Sequence, residues 1–212
     1  MQLHTDYRQP VALNYDALPW QDSPEPGVQR KLLEREGEEV ARATSIVRYA
    51  PGSAFKRHVH ALGEEFLVLD GVFSDERGDF PAGSYVRNPS GSAHSPYSKS
   101  GCEIFVKLRQ MPPQERRAVN LRIDSLDTSA DALLFEADYE QVRILALPAG
   151  RHRLAGAPLL ELLVLGGGIE YAGAPYGPKS WLRRPDAIEL TVPEQTRLYL
   201  KRHLILPGSL IN

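Results

Sequence analysis

The sequence predicts an all-β protein made of two copies of one β-domain, and three observations predict it. Short apolar runs recur along the chain between Gly- and Pro-containing turn clusters, with 17 prolines and 17 glycines spread throughout. Long amphipathic helical patterns are scarce. The run pattern of the first half also returns in the second half at a nearly constant offset.

In chain order, strands are expected over 28–35 (VQRKLLER), 40–49 (VARATSIVRY), 65–71 (EFLVLDG), 83–88 (GSYVRN) and 103–108 (EIFVKL). The clusters APGS, DERGD, NPSGS and SKSG supply turn residues between them. The second half continues with 142–147 (VRILAL), 159–168 (LLELLVLGGG), 179–185 (KSWLRRP) and 196–201 (TRLYLK). A shift of 96 residues lays EFLVLDG on ELLVLGG (161–167) and SYVRNP (84–89) on SWLRRP (180–185). Slightly different shifts lay IFVKL (104–108) on LYLKR (198–202) and APGS on PAGR (148–151). The polar, proline-broken QMPPQERRAVN reads as a connector, which places one domain at 1–120 and a second, degenerate one at 121–212.

Composition removes several function classes. Lys plus Arg at 25 against Asp plus Glu at 27 gives a net charge of −2 without a block of one sign, so no nucleic-acid partner is expected. The start MQLHTDYRQPVALNY has no secretory pattern and no apolar run reaches a membrane span, so a cytoplasmic protein without a membrane partner is expected. Cys102 is the single cysteine, which rules out an internal disulfide and a thiolate metal cluster. It sits in GCEIFVK and reads as a small core residue rather than a redox sensor.

Chemistry concentrates in GSAFKRHVHALGEEFLVLDG, residues 52–71. His58 and His60 are two apart and leave one face of a strand, and Glu64 follows through a turn-prone ALG. In NPSGSAHSP a tight turn precedes His94, which a neighbouring antiparallel strand can bring opposite the first pair. Three imidazoles and one carboxylate suit one divalent ion per chain, Zn or Fe(II), with Mn or Ni also compatible.

The spacing is specific. Gly52, five residues, His58, one residue, His60, three residues, Glu64, six residues, Gly71 matches the first cupin motif without a gap. Gly83, five residues, Pro89, Ser90, Gly91, two residues, His94 matches the second motif up to its last position, where Ser98 stands in place of the usual Asn. That leaves Ser98 to do part of the work of a supporting amide. Residues 46–108, above all GEEFLVLDGVFSDERGDFPAGSY, resemble the cupin domain of ChrR-type anti-sigma factors and their stand-alone relatives, which include acetylacetone-cleaving dioxygenases. The resemblance implies a double-stranded β-helix (jelly-roll) barrel in two tandem cupin domains, with a metal on His58, His60, Glu64 and His94. It implies zinc for regulatory members and ferrous iron for oxygenases. No His-x-x-x-Cys-x-x-Cys occurs in this sequence, so the sigma-binding zinc domain of that family is expected to be missing.

Glu64 and Glu65 both lie within the loose spacing, and the repeat separates them. At the 96-residue shift Glu65 falls on Glu161, whereas Glu64, His58, His60 and His94 fall on Leu160, Leu154, Gly156 and Leu190. The second copy lacks the ligands but keeps an acid, which assigns the metal to Glu64 and a scaffold role to Glu65. His152 reads as a surface residue. Pocket candidates are Phe55, Phe66, Tyr85, Arg87, Ser98, Phe105 and Lys107, with Phe55, Phe66 and Phe105 expected to form a largely apolar wall. Such a wall suits a small, weakly polar molecule.

Two functions follow. One is a sensory or regulatory module responding to a small molecule or an oxygen species and acting through a protein partner. The other is a mononuclear iron dioxygenase cleaving a small diketone-like compound. Sheet edges predict a homodimer.

Overall fold

The computed structural model describes residues 1–38, 40–126 and 130–210. Among the described residues the regular elements are β-strands apart from single 3-10 turns at Tyr15–Ala17, Ile123–Ser125 and Pro207–Ser209. The chain divides into two compact units. The first comprises Met1–Thr5, Pro19–Ile123 and Leu210, and the second Asp6–Leu18 and Asp124–Ser209.

In the first unit an antiparallel sheet runs in the order Gln2–Leu3, Val28–Gly37, Ala41–Tyr49, Cys102–Leu108, Glu64–Asp75, Ser84–Asn88, Val119–Arg122. Short strands complete the unit: Ser53–Ala54 pairs with Tyr97–Ser98, and His58–Val59 with Ala93–His94. In the second unit the order is Ala132–Glu136, Glu140–Leu147, Thr196–His203, Leu159–Gly166, Trp181–Pro185, Val11–Leu13. A second sheet there holds Gly150–Leu154, Ile188–Val192, Ile169–Tyr171 and Ala174–Tyr176. From Val28–Gly37 onward the first order has six strands, and these correspond member by member to the six of the second, which is the jelly-roll order repeated. Only the last strand differs in origin. The connector supplies Val119–Arg122, whereas Val11–Leu13 comes from near the N-terminus to pair with Trp181–Pro185.

The period of 2 decides what each strand contributes. Phe66, Val68, Val86, Ile104 and Val106 turn inward and form a core with Val28, Val47, Phe73 and Phe80. The alternate positions carry Glu65, Arg87 and Lys107, which the register places side by side: Glu65 lies opposite Arg87 on one neighbour and Lys107 on the other. The second unit repeats this row with Glu161 between Arg183 and Lys201. All six are at most 2 % exposed, so they must be paired. Arg87 donates to Glu65, Lys107 Nζ donates to Thr44 Oγ1 at 2.9 Å, and Lys201 Nζ lies 2.7 Å from Glu140 Oε2. Glu161 accepts from Trp181 Nε1 at 3.2 Å and meets His203 Nε2 at 2.5 Å.

Gly71 has a structural reason to be glycine. Its φ is +69°, and a Cβ there would lie 2.1 Å from the Gly101 carbonyl oxygen. The thiol of Cys102, which pairs opposite Gly71, is buried and pushed up to about 11 by that burial, so it is an inert core group.

Candidate metal centre

Four elements of the first unit bring the donors together. His58 lies on the short strand His58–Val59 and stands directly opposite His94 on Ala93–His94. The turn before His94 is tied down by Ser92 N–H donating to Pro89 O, by Gly91 N–H donating to His60 O, and by His60 N–H donating to Ser92 O. Gly91, at φ +85°, adopts the left-handed conformation this turn requires. Glu64 opens the long central strand and faces inward with Phe66 and Val68.

One donor atom from each of His58, His60, Glu64 and His94 lies within 4.8 Å of the others, so the cluster could hold a metal ion. Glu64 Oε2 is 3.6 Å from His60 Nε2 and 3.5 Å from His94 Nε2. Those two buried nitrogens have no hydrogen-bond partner, the state expected of groups shaped to coordinate rather than to hydrogen-bond. Burial pushes the His60 imidazole below its ordinary value, against the opposing pull of Glu64, and so favours the neutral ring that can offer a lone pair. The far sides of the ligands are also held. His58 Nδ1 lies 3.0 Å from the Lys56 carbonyl oxygen, and His94 Nδ1 lies 3.0 Å from Asp75 Oδ2.

A supporting network lies behind the donors, and the motif positions did not reveal it. Asn88, the cross-strand partner of Glu64, donates Nδ2–H to Glu64 Oε2 at 2.9 Å. Arg77, in the hairpin turn Asp75–Gly78, donates Nη1–H to Asn88 Oδ1 at 2.7 Å and also grips Asp75. One guanidinium thus links the residue behind Glu64 to the residue behind His94. Burial alone would raise the Asp75 carboxyl, but hydrogen bonds from His94 and Arg77 hold it well below the usual carboxylate range. Replacing Asp75 with Ala is expected to weaken metal binding by about 10- to 100-fold while leaving one site per chain. A cobalt(II) titration of variant and parent checks this, and unchanged affinity would remove Asp75 from the support.

Ser98 is not part of that support. It is fully buried and its hydroxyl donates to the Val72 carbonyl at 2.6 Å, so the supporting amide comes from Asn88 instead. A signal for Asn88 was available: it follows Val86 by two residues and therefore shares its inward face.

His58, His60 and Glu64 border a cavity of about 480 Å³. Of the sequence-nominated pocket residues only Phe55 lines it. Phe66 packs in the core against Phe73 and Phe80, with ring centroids 4.7 and 6.0 Å away. Tyr85, Arg87, Phe105 and Lys107 alternate with the inward residues Val86, Ile104 and Val106 and so stand on the opposite face of the sheet. The wall is formed instead by Val47, Tyr49, Ile104, Val106 and Leu108 with Phe55. It is also less apolar than expected, because Arg30, Lys56, Arg57 and Arg109 line the same cavity. Burial first and the charge of Glu64 second raise the Tyr49 phenol well above its ordinary value, so it remains a hydrogen-bond donor.

The second unit has leucine in place of three of the four donors. Its register places Leu190 opposite His152, as His94 is opposite His58, so His152 and Leu154 are the structural counterparts of His58 and His60. The uniform shift misplaced this pair because the following turn is longer: three residues separate His60 from Glu64, and five separate Leu154 from Leu160. Leu154, Leu160 and Leu190 all belong to the apolar core of that unit. His152 is left as a lone imidazole, half-buried, 2.8 Å from the Pro148 carbonyl oxygen.

The comparisons agree with this geometry. The family model for the ChrR cupin-like domain matches residues 8–112. The bacterial pirin YhhW from Escherichia coli, solved in complex with nickel(II), superposes with a TM-score of 0.72 at 14 % identity, covering 92 % of this chain and 99 % of that one. A candidate dioxygenase from Nostoc punctiforme gives 0.71 at 16 % identity, covering 92 % and 82 %. Protein Ylba from Escherichia coli gives 0.72 at 13 % identity, covering 95 % and 93 %. Likeness at these identities concerns the fold. No curated protein matches the sequence. Residues 8–112, which carry all four donors, match the ChrR cupin-like domain family, within a chain of two tandem units of cupin fold of which the second has leucine at three of the four donor positions.

Proposed function

We propose that the first unit holds one divalent ion on His58, His60, Glu64 and His94 and acts as a sensory module, in which a small molecule or oxygen species entering the cavity changes the surroundings of the ion. The carrying observation is the convergence of four donor groups beside a cavity large enough for a small molecule. When bound, the ion supplies a Lewis-acid position facing that cavity. The chain's own residues orient the donors through Asp75, Asn88 and Arg77, shield them with Val47, Phe55 and Ile104, and present Tyr49 as a neutral donor. A regulatory protein is the proposed recipient of the signal.

A dioxygenase acting on a small diketone-like compound is the second reading, favoured by the cavity's direct access to the donors and by the structural likeness to the candidate dioxygenase. Sensing ranks first because Tyr49, the phenol beside the donors, is held protonated and does not act as a base near neutral pH.

Metal content and oxygen uptake, measured on protein loaded with Zn(II) or Fe(II), test both. One tightly held zinc per chain without turnover of β-diketones is expected. Rapid oxygen consumption with a β-diketone by the iron form alone would replace the sensory reading with the oxygenase, and absence of metal binding would overturn both.

A further inference from the structure

We infer that the cavity beside the metal centre takes a small organic acid, an apolar body bearing one carboxylate, and that Arg30 is the carboxylate's anchor. The inference rests on the reading above in one respect, that this cavity is where the metal unit meets its ligand.

Arg30 is placed unusually for an arginine. It lies on the strand Val28–Gly37, two residues from Val28 and directly opposite Val47, and both of those valines belong to the core. The period-2 rule therefore turns its side chain toward the interior, and Arg30 lines the cavity. Its Nε is buried and has no hydrogen-bond partner. Arg30 as a whole is half-buried, but a buried Nε–H without an acceptor is costly, and a carboxylate supplies the planar, two-oxygen acceptor that matches the guanidinium fork.

The rest of the lining agrees. Arg109 is half-buried, has φ +58°, and donates its backbone N–H to the Gly63 carbonyl at 3.0 Å, which fixes it next to the donor Glu64. Lys56 and Arg57 are exposed at the opening. Against these four cations the described lining carries two carboxylates, Glu25 and Glu64, and the second of these belongs to the donor cluster. The field in the cavity is positive and draws anions inward. Val47, Phe55, Ile104, Val106 and Leu108 surround an apolar body, and exposed Val40 and Val59 extend the apolar surface to the rim. A neutral diketone would satisfy the walls and offer Arg30 carbonyl oxygens, but it would bring no counter-charge to the cations. An inorganic anion would satisfy Arg30 and leave the walls uncovered.

Calorimetry on the full chain, metal-free and loaded with cobalt(II), tests this with phenylacetate and hexanoate against phenylacetamide and hexanamide. The acids are expected to bind at least about tenfold more tightly than the amides in both forms. Arg30→Gln should abolish the preference while one cobalt per chain is retained, and Arg30→Lys, which keeps the charge, should preserve it. Equal binding of acids and amides, a preference that survives Arg30→Gln, loss of preference in Arg30→Lys to the same extent as in Arg30→Gln, or no acid binding at millimolar concentration would each overturn the inference. Cobalt stoichiometry in the same samples separates the two readings. Acid binding that persists without any cobalt uptake refutes the metal centre and upholds the anion site.

Discussion

Glu64→Gln is expected to lower metal affinity by at least about 100-fold, more than loss of a supporting residue costs, with little change in the fold. The carboxylate is the one anionic group among the four donors. An amide of the same shape still accepts the hydrogen bond from Asn88, so the local packing survives while the charge that attracts a dication is gone. Metal analysis after dialysis reads the result, and circular dichroism confirms the fold. Retention of a full equivalent of tightly bound metal would mean that the three histidines suffice and that Glu64 has another role.

The neighbouring substitution Glu65→Gln is expected to do the reverse. Its carboxylate meets Arg87 with both side chains inaccessible to water, and Lys107 lies opposite on the next strand. Neutralising the acid leaves a buried guanidinium without its counter-charge, a change that costs about 3–5 kcal/mol. The denaturation midpoint of the first unit should fall accordingly, while a cobalt titration below that midpoint still gives one ion per chain. Metal loss equal to that of Glu64→Gln would reverse the assignment of the two glutamates. Replacing Glu65 and Arg87 together by apolar residues should recover much of the loss, because the destabilisation arises from the unpaired charge.

Much of the molecule was legible beforehand, and the reason is local. The strands at 28–37, 41–49, 64–75, 84–88 and 102–108 announce themselves because apolar residues alternate or cluster between Gly, Pro and Asp turns. The donors were legible because their spacing on paired strands is rigid. The separate duty of Glu65 followed from its persistence as Glu161 in a unit that has leucine in place of Glu64. Pocket residues were harder. Tyr85, Arg87, Phe105 and Lys107 have the chemistry of a ligand site, but facing is set by register, and a one-residue difference in position moves a side chain to the other side of the sheet. Arg30 was missed for the converse reason. Its charge suggests solvent, and only the pairing with Val47 reveals that it points inward. Asp75 and Asn88 escaped notice because they act on ligands distant in sequence, through contacts that exist only once the hairpin has formed.

The strand Val11–Leu13 carries a consequence for the order of events during synthesis. It is synthesised long before its pairing partner Trp181–Pro185. The first sheet can close on residues that follow one another within one half of the chain, whereas the second joins strands that lie far apart in sequence. Contacts separated so widely form late. Until then the Trp181 strand presents a bare edge, the surface through which nascent chains associate wrongly. Trimming the N-terminus through Leu13 would make that temporary exposure permanent.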